Sequence, residues 1–314
     1  MTKRAEGLRA AEIAADAMLH KFGALSPAHI KVEAYASAFG LTIVDGQLDG
    51  ARARLTRGKK PQIRVSERTP SEAARRFSIA HELGHHVLDH FGDKPHAVCT
   101  DTTPKVKRHP NKRDFETEAQ VFAANTLMPR SMVAKRCETA QPSLAIAQSI
   151  VADFKTSLPA STIRLVELTL ESCAAVLTVN GFISWAVHSP SFTERIPRGK
   201  ALDPRTVAAD FQSVGKCSDK PRTLPASAWV KESAEGEIVE HSMRVEEGGV
   251  ISFLWLPKNE ADKFCRSMAY QLDLRMPQLQ HSAAFPVSSS SSAQAFSAVG
   301  DEDTQPMPEC RRYG

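Results

Sequence analysis

The sequence has few cysteines and lacks both an export signal and a plausible membrane segment. Six cysteines occur among 314 residues without a CxxC pair, so neither a disulfide framework nor a thiolate metal site is indicated. Glu6, Glu12 and Asp16 interrupt the N-terminal segment where an export signal needs an apolar core. The longest apolar run, residues 173–192, has Asn180-Gly181 in its middle, which predicts a hairpin turn. We therefore expect a cytoplasmic protein that does not associate with a membrane.

The positive charge of the chain is concentrated in one stretch. The formal net charge is only +4, yet residues 51–76 contain nine Lys or Arg against two Glu. Such a stretch could steer the protein toward nucleic acid or an acidic partner. The alternative interpretation is a solvated face around a cleft, which we consider the commoner case.

The spacing of apolar residues predicts an α+β fold. Helical periodicity over residues 5–22 and 28–38 precedes three short strand-like segments, which we expect to form a small antiparallel sheet. Thr69-Pro70-Ser71-Glu72 is typical of a helix start with Thr69 as the cap, and it predicts a helix that continues to about His90. Further helices are predicted over residues 114–127, 144–154 and 160–170, after which strand-like segments dominate.

The stretch FSIAHELGHHVLDHFGD contains an HExxH pattern on the predicted helix. Residues four apart share a helix face, so the imidazoles of His81 and His85 converge and can bind one metal ion. Zinc fits two neutral imidazoles plus a carboxylate and keeps a fourth position for water. Glu82 projects beside that position and is the predicted general acid/base. His86 and His90 lie about 100° around the helix and are interpreted as bystanders to metal binding, that is, as rim or structural histidines that could assist substrate binding.

The third ligand is expected from the following helix, FETEAQVFAANTLMP. Glu116 and Glu118 are two residues apart and face different directions, so only one of them can reach the ion. We favour Glu116, because Gln120 shares its face and could orient a ligand, and we keep Glu118 as the alternative. Asp89, four residues after His85, is another candidate for supporting a ligand by hydrogen bonding.

RRFSIAHELGHHVL followed by ETEAQVFAANTLMP resembles the ImmA/IrrE family of zinc metallopeptidases. The resemblance implies a gluzincin-like minimal protease in which His81, His85 and Glu116 bind zinc and Glu82 is the catalytic base. Gln120 stands where the family usually has Asn, while every ligand position is present. The resemblance also implies a substrate: a helix-turn-helix transcriptional repressor, whose cleavage switches on stress-response or mobile-element genes.

The chain also resembles the longer, IrrE-like architecture, which implies four regions. Residues 1–138 would be the zinc metallopeptidase domain and residues 139–171 a helical, helix-turn-helix-like region. These middle helices could contact DNA or the repressor, or pack as a plain helical hairpin, and only two cations lie near them. Residues 172–281 would be a GAF-like α/β sensory domain that could bind a small molecule, and a structural or docking role is equally open. Residues 282–314, with their run of serines, are predicted to be disordered.

Three hypotheses about function follow. The leading one is a cytoplasmic zinc endopeptidase that acts on a repressor protein. The second is a DNA-binding transcriptional regulator in which the metal site is structural. The third is a ligand-sensing module whose metal site has decayed.

Overall fold

The computed structural model describes residues 2–90, 92, 113–213, 220–230, 236–245 and 249–257. The helices are α1 (Lys3–Lys21), α2 (Val32–Ala38), α3 (Glu72–Val87), α4 (Phe115–Leu127), α5 (Arg130–Cys137), α6 (Leu144–Phe154), α7 (Leu158–Leu168) and α8 (Val207–Ser213). The strands are β1 (Thr42–Gly46), β2 (Ala53–Thr56), β3 (Gln62–Ser66), β4 (Ser172–Val179), β5 (Phe182–His188), β6 (Arg222–Pro225), β7 (Glu237–Val245) and β8 (Gly249–Leu256). The predicted mixed α+β class is confirmed. The predicted disordered tail, residues 282–314, lies outside the described residues.

The first sheet is mixed, and the prediction of a small antiparallel sheet is wrong. Its strand order is β1-β3-β2, with β2 antiparallel and β1 parallel to β3. The chain reverses direction after β1 and again after β2, so β1 and β3 run the same way. An antiparallel sheet would have required β2 in the middle, but β3 inserts between the other two strands and pairs with both. This order leaves β2 at one edge of the sheet.

Helix α3 begins two residues later than the Thr69 cap predicted. Ser71 is the actual cap, because its side chain accepts a hydrogen bond from the backbone N–H of Ala74 at 3.2 Å. The Thr69 hydroxyl instead donates to the carbonyl of Ser66 at 2.6 Å and stabilises the turn after β3. The buried face of α3 packs on the first sheet and on α4, with Ile79, Ala80 and Leu83 fully buried.

The second sheet is antiparallel throughout, in the order β5-β4-β8-β7-β6. The predicted hairpin at Asn180-Gly181 is confirmed: both residues have positive φ, 50° and 82°, as a type I′ turn requires. Successive residues of β8 face opposite sides, as the strand period demands. Ile251 and Phe253 join the core that includes α1 to α7, whereas Val250 and Leu254 join a second core beneath α8.

One core therefore runs without interruption from α1 to the near face of the second sheet. Within the described part of the chain, no helix combines the length and apolar character that a membrane span needs.

Candidate metal centre

Helices α3 and α4 approach closely at the candidate site because Gly84 has no side chain. A Cβ atom on Gly84 would lie 2.9 Å from Cδ1 of Phe122, closer than such atoms approach in proteins. Phe122 is fully buried against α3 at this point. The close crossing brings the first turn of α4, with Glu116, over the histidine-bearing face of α3. Asp114 caps α4 by accepting from the Thr117 backbone N–H at 3.2 Å, which sets where that first turn begins.

Three of the predicted site residues converge in the structure. The Nε2 atoms of His81 and His85 are 3.1 Å apart. Glu116 places one carboxylate oxygen 3.4 Å from Nε2 of His81 and the other 3.6 Å from Nε2 of His85. Ligand atoms around a tetrahedral zinc ion, at bond lengths of about 2.0–2.1 Å, lie about 3.3 Å from one another. The three side chains therefore fit a zinc ion, and Glu116 rather than Glu118 occupies the third position.

The ionisation of these groups also suits a divalent cation. Burial lowers the pKa of His85, although the neighbouring Glu116 carboxylate partly opposes that effect. Burial alone would raise the pKa of Glu116, but its contacts with His81 and His85 outweigh burial and hold that pKa well below its ordinary value. A neutral His85 and an ionised carboxylate are the forms that bind metal ions.

Glu82 is almost completely buried on the side of α3 that faces the first sheet. Its Oε2 accepts a hydrogen bond of 2.9 Å from the backbone N–H of Leu55. Leu55 belongs to β2, the edge strand, and its N–H points away from β3 toward α3. This hydrogen bond to the backbone fixes the orientation of the Glu82 carboxylate relative to the histidines on the same helix.

A buried hydrogen-bonded chain supports His85 from behind. Nδ1 of His90 lies 2.9 Å from Nδ1 of His85, and Nε2 of His90 lies 3.1 Å from Oε2 of Glu118. Arg113 donates from Nε to Oε1 of Glu118 at 3.1 Å and from Nη2 to Oε2. The side chains of His90 and Glu118 are fully buried. His85, a candidate metal ligand, is thus linked through His90 and Glu118 to a guanidinium group.

The protonation state of His90 decides which atoms donate and which accept in this series of hydrogen bonds. Burial and the neighbouring His85 lower the pKa of His90 to about 4, so its imidazole is neutral at pH 7. A neutral His90 that donates from Nε2 to Glu118 has an unprotonated Nδ1, which accepts a hydrogen bond from Nδ1–H of His85. Nε2 of His85 then carries the lone pair that a metal ion needs. The interpretation of His90 as a bystander is wrong.

The end of α3 explains how His90 reaches this position. The helix ends at Val87 and not at His90, and Asp89 adopts a left-handed conformation with φ of 49°. The chain consequently turns back, and the backbone N–H of His90 bonds to the carbonyl of His85. This turn places the ring of His90 against that of His85, whereas a continued helix would have carried it around the axis.

The other predicted supporting residues lie elsewhere. The Asp89 carboxylate is largely exposed and is bound by Nη2 of Arg57 at 2.8 Å. Gln120 is half-buried, and no side-chain hydrogen bond joins it to another described residue. His86 packs edge-on against Phe39, with ring centroids 6.3 Å apart, and agrees with its interpretation as a bystander. Glu118 takes the supporting role that was predicted for Asp89 and Gln120.

Two histidines one turn apart on a helix, with a glutamate from the next helix, define the class of HExxH metal-site proteins. Residues 36–165 match the family model Peptidase_M78, the IrrE N-terminal-like domain, and this confirms the resemblance to the ImmA/IrrE family over that part of the chain. Among solved structures, a Mycobacterium tuberculosis transcriptional regulator has a similar fold, with a TM-score of 0.53 and 15% identity. The similarity covers 84% of this chain and 81% of that one. No curated protein matches the chain.

Proposed function

We propose that the protein is a zinc-dependent endopeptidase that cleaves a helix-turn-helix transcriptional repressor in the cytoplasm. The observation that carries the proposal is the convergence of His81, His85 and Glu116 at the spacing of a zinc site, with Glu82 fixed on the same helix. A purely structural zinc site is usually closed by four protein ligands. Within the described residues, only three metal-binding side chains converge here. The remaining position suits a water molecule.

The three ligands would hold the ion, which supplies Lewis-acid polarisation of a peptide carbonyl and acidifies a water molecule. Glu82 then accepts the proton of the attacking water and delivers it to the amine that leaves when the peptide bond breaks. The hydrogen bond from Leu55 keeps one oxygen of Glu82 in place during this transfer. His90 and Glu118 hold the ring of His85 in the tautomer that binds metal.

The substrate class rests on the resemblance to the ImmA/IrrE family, whose members act on repressors. The similar solved structure carries the description of a transcriptional regulator, which agrees with a role in gene control for that protein. The five-stranded sheet, with α8 on one face, is the part of this chain that we assign to a GAF-like sensory domain for a small molecule. A ligand there would regulate cleavage and, through it, stress-response or mobile-element genes.

A DNA-binding regulator with a structural metal site is the alternative, and the middle helices offer little to support it. Arg164 on α7 is buried, and it donates to the carbonyl of Met128 at 3.0 Å and to Oδ1 of Asn125 at 2.7 Å. Lys155 is 3.5 Å from Glu72. The buried Arg164 is therefore not available to phosphates, and one exposed lysine beside a carboxylate gives the predicted helix-turn-helix-like region little basic surface.

The decisive experiment separates metal binding from cleavage. Wild type, Glu82→Gln, Glu116→Gln and Glu72→Gln are each co-expressed with helix-turn-helix repressors encoded nearby, and the repressor fragments are identified by mass spectrometry. Glu72→Gln is the matched control, because it changes an exposed glutamate at the start of the same helix. Zinc content is measured on the same preparations.

We expect wild type and Glu72→Gln to contain zinc and to cleave at one position. Glu82→Gln should retain zinc and lose cleavage by a factor of at least about 100, the usual contribution of a general base. Glu116→Gln should lose both zinc and cleavage. Unchanged cleavage by Glu82→Gln would refute the catalytic assignment. Tight, salt-sensitive binding to promoter DNA without proteolysis would favour the alternative.

A further inference from the structure

Arg76 carries a buried positive charge for which the described residues provide no counter-ion. The residue lies on α3 and is only 9% exposed. Its Nη2 donates to the carbonyl of Ile30 at 3.2 Å, and its buried Nε has no hydrogen-bond partner among the described residues. A buried charge is costly unless an opposite charge and hydrogen bonds compensate for it. An anion bound next to Arg76 would compensate for this buried charge.

Arg76 lines a cavity of about 530 Å³ whose described lining includes no residue of α4. The cavity lies between the 3-10 turn at Pro27–His29, α3, α5 and the C-terminal end of α6. Its volume is within the range of small-molecule sites, about 300–1,000 Å³. Among the described residues, four cations from four separate segments line it, together with one carboxylate: Lys31, Arg76, Arg136 and Lys155, with Asp153.

Two of these four cations have no anionic partner in the described part of the chain. Arg136 is paired with Asp153 at 2.6 Å, and Lys155 lies 3.5 Å from Glu72. Lys31 is exposed at the start of α2 and forms no ion pair with a described residue, as is also true of Arg76. An anion bound between Lys31 and Arg76 would neutralise both charges without displacing an existing ion pair.

We propose that this cavity binds a small phosphorylated molecule through its phosphoryl group. A phosphoryl group has three acceptor oxygens and a charge of about −1.5 to −2, so it can engage donors that surround it from several sides. A planar guanidinium group such as that of Arg76 donates in a fork geometry that suits such oxygens. Lys31 adds a point charge at the rim, and the remaining volume accommodates the rest of the molecule. The proposal concerns binding and does not depend on proteolysis.

The test is isothermal titration calorimetry of the full chain with inorganic phosphate, pyrophosphate and succinate. Arg76→Gln removes the buried charge, and Lys31→Gln removes an exposed charge whose loss does not threaten folding. Arg75→Gln is the matched control, since Arg75 neighbours Arg76 on α3 but pairs with Asp45 outside the cavity. His81→Ala shows whether the ligand binds at the metal centre instead.

We expect saturable binding of phosphate and tighter binding of pyrophosphate. Arg76→Gln should weaken binding about tenfold or more, as loss of a hydrogen bond to a charged group does. Lys31→Gln should weaken it several-fold by the loss of one charge, while Arg75→Gln and His81→Ala bind like wild type. The proposal is wrong if no binding saturates, if Arg75→Gln weakens binding as much as Arg76→Gln, or if Lys31→Gln has no effect. Preference for succinate would overturn the phosphoryl assignment.

Discussion

Replacement of His90 with alanine should weaken zinc binding although His90 is not a ligand. The substitution removes the acceptor 2.9 Å from Nδ1 of His85 and leaves a donor in a buried site. A buried donor without a partner costs about 1–3 kcal/mol. Loss of a partner that orients a metal-binding histidine typically lowers affinity about 10–100-fold, which corresponds to about 1.4–2.7 kcal/mol. The two magnitudes agree, so we expect the zinc affinity of His90→Ala to be about 10–100-fold lower than that of wild type.

The assay is competition for zinc with a chromophoric chelator at pH 7, and His86→Ala is the control. His86 is also a histidine of α3, but it contacts Phe39, and no hydrogen bond connects it to His85 among the described residues. We expect His86→Ala to bind zinc like wild type. The zinc affinity of Glu118→Gln should lie between those of the control and His90→Ala, because an amide oxygen still accepts a hydrogen bond from His90. Equal affinities for His90→Ala and His86→Ala would refute the directional hydrogen-bonded chain.

Three further predictions concern stability. Gly84→Ala would force a Cβ against Phe122 and should lower the free energy of unfolding by about 1–3 kcal/mol in urea titrations, with loss of zinc as the helices separate. Arg164→Met should cost about 1–3 kcal/mol by the same measurement, because the Met128 carbonyl loses its buried donor; wild-type stability would show that the contact contributes nothing. In the metal-free protein the free energy of unfolding should fall as pH drops from about 6.5 toward 4, since the unfolded chain takes up a proton that buried His90 excludes. The decrease in the free energy of unfolding should be smaller in His90→Ala. Identical pH profiles for wild type and His90→Ala would contradict the assignment of this pH dependence to His90.

The ligand set was predictable because it depends on local periodicity. Two histidines four residues apart must share a helix face, and Glu116 and Glu118 must diverge on theirs. These relations hold wherever the helices lie in the fold. Glu116 does converge with His81 and His85, but the reason given for choosing it, support from Gln120, does not appear in the contacts of Gln120.

The supporting residues were not predictable from periodicity, because a break in periodicity positions them. The helical pattern continues to His90, but the left-handed conformation of Asp89 ends it and folds His90 back onto His85. Aspartate tolerates that conformation better than most residues, which is a weak signal. Glu118 is buried because Gly7 of α1 leaves room for its carboxylate, a tertiary contact across more than a hundred residues. The parallel pairing of β1 likewise depends on which strand inserts between the other two.

The contacts of Arg164 bear on how much of the chain forms an independently folding unit. Its side chain ties α7 to the end of α4, so a fragment that ends at residue 138 would leave the Met128 carbonyl and the Asn125 side chain without their donor. Such a fragment would also lack Leu144 and Leu165, which belong to the same hydrophobic core as Phe122. Their absence would expose part of that core to solvent. The smallest stable fragment that contains the candidate metal centre should therefore extend through α7, and attempts to isolate a shorter fragment should yield aggregated protein.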